Sequence, residues 1–308
     1  MTQPFVERSE CPGCGYLAAK AERESTNHLR CPGCQLIYRE RMTSVIAETN
    51  WDAKYYSDDR VIEHYETRTS AFEKIVKLVN RRVGTPGTWL DIGCGVGSLL
   101  AVAEAAAWIP LGIEPSRIAV EVARARLARP NVVRGTVESA LAQFREVNVA
   151  SLVDVARYLE RPVETLAAVG EALAPGGWAV VREGKQEAGK RRRAKEPRGY
   201  EPPCARFVQE WTPEAMETTL RRAGFTDIHC FPSPAFTETT GWERGGRPGF
   251  RGRVEMMMRM GVWPVSRIVH RMSFGHVYVS PSFLAIARRP HYSRVARGRP
   301  NGMRSART

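Results

Sequence analysis

Nine consecutive residues, Leu90-Asp91-Ile92-Gly93-Cys94-Gly95-Val96-Gly97-Ser98, constrain this 308-residue chain more than any other stretch. An acid between two branched apolar residues reads as the end of a buried strand. Three glycines spaced by one then permit backbone angles that other residues avoid, and from Ser98 the apolar residues recur at helical spacing. A strand that turns through glycines into a helix is half of a βαβ unit. Such units assemble parallel sheets covered on both faces, with ligands at the carboxyl ends of the strands.

The rhythm continues along the chain. Strands are expected at 89–92, 111–114, 131–134, 147–153 and 178–182, with helices at 98–107, 116–128 and 162–173 between them. Pro175-Gly176-Gly177 reads as the turn before the fifth strand, and 282–288 as the last strand. The expected fold is α/β, a doubly wound, Rossmann-like sheet of seven mostly parallel strands.

A second feature lies ahead of it. Cys11-Pro-Gly-Cys14-Gly and Cys31-Pro-Gly-Cys34-Gln are separated by sixteen residues. Two residues between cysteines let one tight turn aim both sulfurs at a single metal, and two such knuckles supply a closed tetrahedral set of thiolates. The expectation is a structural Zn²⁺ held by Cys11, Cys14, Cys31 and Cys34 in a small ribbon. The other three cysteines, 94, 204 and 230, are scattered, which fits a reduced compartment and not a disulfide framework. The first residues carry no secretory leader pattern and no apolar run reaches eighteen residues, so the expected location is cytoplasmic, without a membrane span.

The expected domains are a zinc ribbon at 1–45, a linker helix region at 46–86, a catalytic domain at 87–289 and a basic disordered tail at 290–308. Within the linker, 60–83 shows one apolar helical face, preceded by Trp51, Tyr55 and Tyr56, which either close over a ligand or pack on the sheet. Within the catalytic domain, 184–205 reads as a basic loop and 235–275 as a substrate-cap insertion rich in methionine.

The formal net charge of +13 is unevenly placed. Residues 182–198 contribute +5 and 288–308 contribute +7, which leaves the body of the chain nearly neutral. This charge is either a solvated loop and tail or a contact surface for RNA and acidic partners.

The glycine turn admits two cofactors. A dinucleotide fingerprint needs Gly-x-Gly-x-x-Gly, but Ser98 occupies the sixth position here. Asp91, immediately before the glycines, suits the ammonium of an amino acid better than a pyrophosphate. Glu114, 21 residues after Gly93, ends the second strand, where an acid accepts hydrogen bonds from ribose hydroxyls. Together these favour S-adenosylmethionine over NAD.

On these residues, the stretch 87–183 resembles the class I S-adenosylmethionine-dependent methyltransferases. It is similar in particular to a branch acting on small molecules that carries a two-knuckle zinc module, a Tyr-Tyr segment and a late Trp-Thr-Pro-Glu element, here Trp211-Thr212-Pro213-Glu214. The resemblance implies that Gly93, Gly95 and Gly97 line the methionine part of the cofactor, that Glu114 holds the ribose, and that Thr136, Val137 and Glu138 flank the adenine. Asp91, Cys94, Pro115 and Asp154 complete the expected cofactor-binding set. Where the branch has Glu-His after Asp154-Val155-Ala156, this chain has Arg157-Tyr158. Tyr158 is the candidate catalytic residue, as hydrogen-bond donor or base. The usual acid at the start of the fourth strand is Asn148. The expected activity is methyl transfer to a small-molecule acceptor of secondary or polysaccharide metabolism, the acceptor being anionic if the basic loop is functional. An RNA methyltransferase and a non-catalytic zinc-ribbon binding protein stand as alternatives.

Overall fold

The computed structural model describes residues 6–25, 27–42, 56, 68–184, 207–233, 264–280 and 282–291. Three sheets organise them, two small ones in an N-terminal ribbon and one large one. The ribbon comprises β1 (Val6–Glu7), β2 (Glu22–Ser25), β3 (His28–Arg30), β4 (Ile37–Arg39) and β5 (Arg41–Met42). β2, β3 and β4 form an antiparallel meander, and β1 pairs with β5 beside it.

The large sheet contains β6 (Thr88–Ile92), β7 (Ile109–Glu114), β8 (Val132–Arg134), β9 (Val147–Val153) and β10 (Leu173–Gly184). A two-residue strand, β11 (Gln209–Glu210), follows, then β12 (Thr226–Pro232) and β13 (Ser282–Arg288). The order across the large sheet is β12-β13-β10-β9-β6-β7-β8. β6 to β10 are mutually parallel, and β13 runs antiparallel to both of its neighbours. This is the expected seven-stranded, mostly parallel sheet.

The helices are α1 (Thr69–Val83), α2 (Ser98–Ala105), α3 (Arg117–Arg126), α4 (Val137–Ala140), α5 (Pro162–Ala172), α6 (Pro213–Arg222) and α7 over 264–272. Several boundaries have a local cause. Ser116 caps α3 by accepting the Ala119 N–H at 3.1 Å, and Thr212 caps α6 by accepting that of Ala215 at 3.1 Å. α5 and α6 both begin with proline, whose missing N–H is no loss in the first turn. α1 ends at Gly84 with φ +83. The linker helix is expected from residue 60; the described part begins at Thr69, and 57–67 lie outside the described residues.

Pro175-Gly176-Gly177 is not a turn between separate elements. The extended run of β10 begins at Leu173, which pairs with Val147, and the register shifts before Trp178. The Pro-Gly-Gly segment is thus a bulge inside one long strand, with Gly176 at φ +78.

Two cores flank the large sheet. On one face α1 and α2 cover Trp89, Val149 and Val180. There Trp89 meets Trp108 edge-on at 5.2 Å, and the Trp108 indole donates to Asn80 at 2.8 Å. On the other face Leu90, Ile92, Ala150 and Val181 pack with α5 and α6, and this cluster runs without a break into Cys11, Cys31, Cys34, Leu36 and Tyr38 of the ribbon. The ribbon is therefore part of the domain core.

Candidate cofactor site and four-cysteine centre

The site is built from the carboxyl ends of β6, β7 and β9. Gly93, Gly95 and Gly97 all have positive φ, at +71, +53 and +76. A Cβ on Gly93 would approach Val155 Cγ2 to 2.5 Å, and one on Gly97 would approach Ala123 to 3.0 Å. Both space and backbone angle thus demand glycine. Glu114 is buried and organises the turn. One oxygen accepts the Gly95 N–H at 2.9 Å and the other accepts the Ser116 N–H at 3.0 Å. The Cys94 side chain points away from the cleft and packs where a Cβ on Gly112 would meet its sulfur at 2.9 Å. Cys94 therefore lines the turn through its backbone. Tyr56 is buried and packs with Val96 and Ala119.

Asp91 lies beneath the glycines. The Trp89 indole donates to the Ser151 hydroxyl at 2.8 Å, which donates to Asp91 Oδ1 at 2.5 Å. Among the described residues Asp91 has no cationic partner. Burial raises its carboxyl from 3.8 to about 7; the hydrogen bond from Ser151 opposes this and the charge on Glu114 adds to it. A buried carboxylate without a cation is suited to a positively charged ligand such as S-adenosylmethionine, with its ammonium and sulfonium. The residues present fit that cofactor.

The third edge is α4. Thr136 caps it, and Thr136 and Ser139 form a reciprocal capping box. Val137 is buried and Glu138 is exposed at the rim of a groove of about 500 Å³ between α4 and α5. Pro115 presents its carbonyl to Arg134 Nε at 3.4 Å.

A match to a family model described as a methyltransferase domain extends over residues 64–230. The chain belongs to the methyltransferase-domain family. Its large sheet has the order β12-β13-β10-β9-β6-β7-β8, with the glycine turn at the carboxyl end of β6. No curated protein matches the methyltransferase in sequence. Solved structures similar to it include an S-adenosylmethionine-dependent methyltransferase from Thermotoga maritima, 17% identical, with a TM-score of 0.48 over 78% of this chain and 97% of that one. A TehB-like enzyme from Corynebacterium glutamicum is 16% identical, with a TM-score of 0.45 over 74% and 96%. The plantazolicin methyltransferase in complex with SAH is 14% identical, with a TM-score of 0.46 over 80% and 92%.

Beside the glycine turn, the methyltransferase carries a buried charge cluster that no motif in the sequence marks. Asp154, at φ +60, accepts hydrogen bonds from Arg182 and from Arg157 Nη2 (3.1 Å), and Arg68 stands 3.9 Å away. Burial alone would raise the Asp154 carboxyl; the fields of Arg182, Arg157 and Arg68 outweigh it and hold the group below its ordinary value. Glu183 binds Arg157 through Nε at 2.8 Å, through Nη2 at 2.7 Å and through the backbone N–H at 3.2 Å. Burial nonetheless pushes Glu183 up to about 7, against the pull of Arg157. The carboxylate of Asp154, expected at the cofactor, is thus turned to arginines. One signal was available: Arg182-Glu183 is a charged pair ending an otherwise apolar strand, which is costly unless partnered.

Tyr158 stands edge-on to Phe207 at 5.3 Å and packs on Met42 and Val208, where the ribbon meets the catalytic domain. Asn148 replaces the usual acid without loss of function as an acceptor. Its Oδ1 receives the Thr88 N–H at 2.8 Å and the Thr88 hydroxyl at 3.1 Å, and it fills the space a side chain on Gly87 would need.

The four expected cysteines converge. Their sulfurs all lie within 4.8 Å of one another, with Cys11–Cys34 at 3.7 Å and Cys14–Cys31 at 3.3 Å. Each knuckle closes the same way: Gly15 N–H donates to Cys11 and Gln35 N–H to Cys31, both at 2.8 Å. The residue after each knuckle adopts positive φ, Gly15 at +78 and Gln35 at +65. α6 covers the first knuckle, with Arg222 donating to the Gly13 carbonyl at 3.0 Å. The ribbon's sheet does not end with the ribbon. β11, from the catalytic domain, pairs with β4 and gives the order β11-β4-β3-β2.

Proposed function

We propose that this methyltransferase transfers a methyl group from S-adenosylmethionine to a small anionic molecule, and that a structural zinc ion in the ribbon braces the wall of the acceptor cleft. The observation that carries the reading is the junction of ribbon and cleft. Gln209 of β11 donates from its side-chain amide to the carbonyls of Ala156 and Leu159 at 2.8 and 2.7 Å. Val208 N–H donates to the Arg157 carbonyl at 3.0 Å, and Arg39 N–H to Val208 at 2.9 Å. Arg8 reaches the Glu160 carbonyl at 2.7 Å. The turn that follows β9, with Arg157 and Tyr158, thus hangs on the ribbon.

In this reading Gly93, Gly95 and Gly97 bring backbone against the methionine portion, and Asp91 offsets its positive charge. Glu114 holds the ribose, with Pro115 beside it. Thr136, Val137 and Glu138 border the adenine. The cofactor supplies an electrophilic methyl group. The protein's part is to hold the acceptor on the methyl axis, exclude water and accept a proton where the acceptor has one. Tyr158 serves as a donor on the cleft wall. Asp154 acts through the arginines, which favour a carboxylate- or phosphate-bearing acceptor.

The burial of Cys11, Cys31 and Cys34 and the cover over the first knuckle argue against RNA as acceptor, because a knuckle that grips a nucleic acid needs an open face. The test is methyl transfer from labelled S-adenosylmethionine to a panel of sugar phosphates, nucleotide sugars and carboxylates, beside total RNA. Label in an anionic small molecule, with loss of turnover in Arg157→Gln, is the expected result. Label confined to RNA overturns the reading.

A further inference from the structure

α7, over 264–272, is built inside out. Its inward face is polar. Ser266 is fully buried and its hydroxyl accepts the Ser280 N–H at 3.0 Å. One turn on, the His270 ring leans on Tyr278 with centroids 4.5 Å apart. The hydroxyl of Ser273, just past the helix, donates to the His270 carbonyl at 3.1 Å and accepts the Val277 N–H at 2.9 Å. The outward face is apolar. Val265, Ile268 and Met272 follow at intervals of three and four, so they share one stripe. Their exposures are 55%, 60% and 76%, and Phe274, at the turn that follows, is 91% exposed. A soluble helix ordinarily does the reverse. A contiguous outward apolar stripe marks an interaction surface.

The partner is indicated by charge. Arg267 and Arg271 are exposed along one flank of the stripe. From Met256 to Thr308 the sequence holds ten arginines and no aspartate or glutamate. We propose that this face docks the methyltransferase on an anionic lipid bilayer, with the stripe lying in the plane of the interface and the arginines at the headgroups. An apolar stripe edged by cations matches both layers of such a surface at once. RNA would meet the arginines but leave the aliphatic side chains in water. A second copy of the chain would set the Arg267 and Arg271 flanks of two such stripes against each other. Four side chains also fall short of the roughly 800 Å² per partner of a stable dimer. The proposal does not depend on which acceptor is methylated.

The test is co-sedimentation of the full chain with vesicles of phosphatidylcholine alone, or of phosphatidylcholine mixed with phosphatidylglycerol. Wild type is compared with Met272→Ser/Phe274→Ser and with Arg267→Gln/Arg271→Gln. S-adenosylmethionine binding by each variant reports that it is folded. Wild type should sediment with the mixed vesicles and bind phosphatidylcholine about tenfold less well, and both variants should lose about tenfold in binding to the mixed vesicles. Wild type that stays in the supernatant with both vesicles overturns the proposal. Undiminished binding by Met272→Ser/Phe274→Ser also overturns it, because the contact would then be one of charge alone. A wild-type dimer that the same substitution returns to monomer overturns it as well, by assigning the stripe to a second copy.

Discussion

Asp91 is the residue whose chemistry is most exposed to test. Its carboxyl lies near 7, chiefly through burial. A carboxyl raised in this way stabilises the folded protein fully below its ordinary value of 3.8, and that contribution is lost as pH rises through about 7. The ligand-free protein is therefore expected to lose stability from this group between those limits, while its hold on a cationic cofactor strengthens as Asp91 ionises. Calorimetric titration with S-adenosylmethionine at several pH values, wild type beside Asp91→Asn, measures the effect. The affinity ratio of the two proteins should rise from about pH 6 to about pH 7.5; a flat ratio would mean that Asp91 does not carry the cofactor's charge. Gly93 is the second case. Gly93→Ala would set a methyl 2.5 Å from a Val155 methyl at φ +71. A β-branched neighbour has little freedom to yield, so a loss of about 2 kcal/mol is expected in urea denaturation. Val155→Ala in the same chain should recover the part due to the clash and leave the part due to backbone strain.

Among the elements, β11 is only two residues long, yet it joins two sheets. It pairs Gln209 and Glu210 with Tyr38 and Ile37, while the Gln209 side chain pins the turn after β9. A two-residue strand has almost no intrinsic stability, so its position depends on the ribbon edge it joins. The ribbon in turn is a short meander whose four thiolates converge on one point. A metal there is expected to supply most of its folding energy. Zinc analysis should find one ion per chain, and Cys34→Ser should lose it. Hydrogen exchange at Val208, Gln209 and Arg157 should then quicken by about tenfold or more, although none of the three is a ligand. Unchanged exchange at those amides in a zinc-free protein would uncouple ribbon from cleft. Little of this was legible beforehand. The cysteine spacing announces the knuckles, because a metal site is a local pattern. Nothing in Gln209-Glu210 announces a strand, because so short a pairing is decided by its partner.

At the scale of the whole molecule, the continuous core from Cys11 and Leu36 through Trp211 and Met216 to Ala150 and Val181 predicts one cooperative unit. Scanning calorimetry of the zinc-loaded chain should give a single main transition, and chelation should lower the midpoint of that transition. Two separable transitions would make the ribbon an independent bead.

The repeating strand and helix pattern, the glycine turn and the paired knuckles were written in the chain, because each rests on periodicity or on spacing between near neighbours. Asp91, Glu114 and the four cysteines followed from those patterns. Other features required the tertiary structure. The burial of Arg182 and Glu183 depends on which strands flank β10. The turning of Asp154 toward arginines depends on residues 3 to 86 positions away in the chain meeting at one strand end. The capture of β11 by the ribbon and the outward apolar stripe of α7 depend on what each element finds beside it when the chain closes. Local pattern states which face of an element is apolar; only packing decides which face is covered.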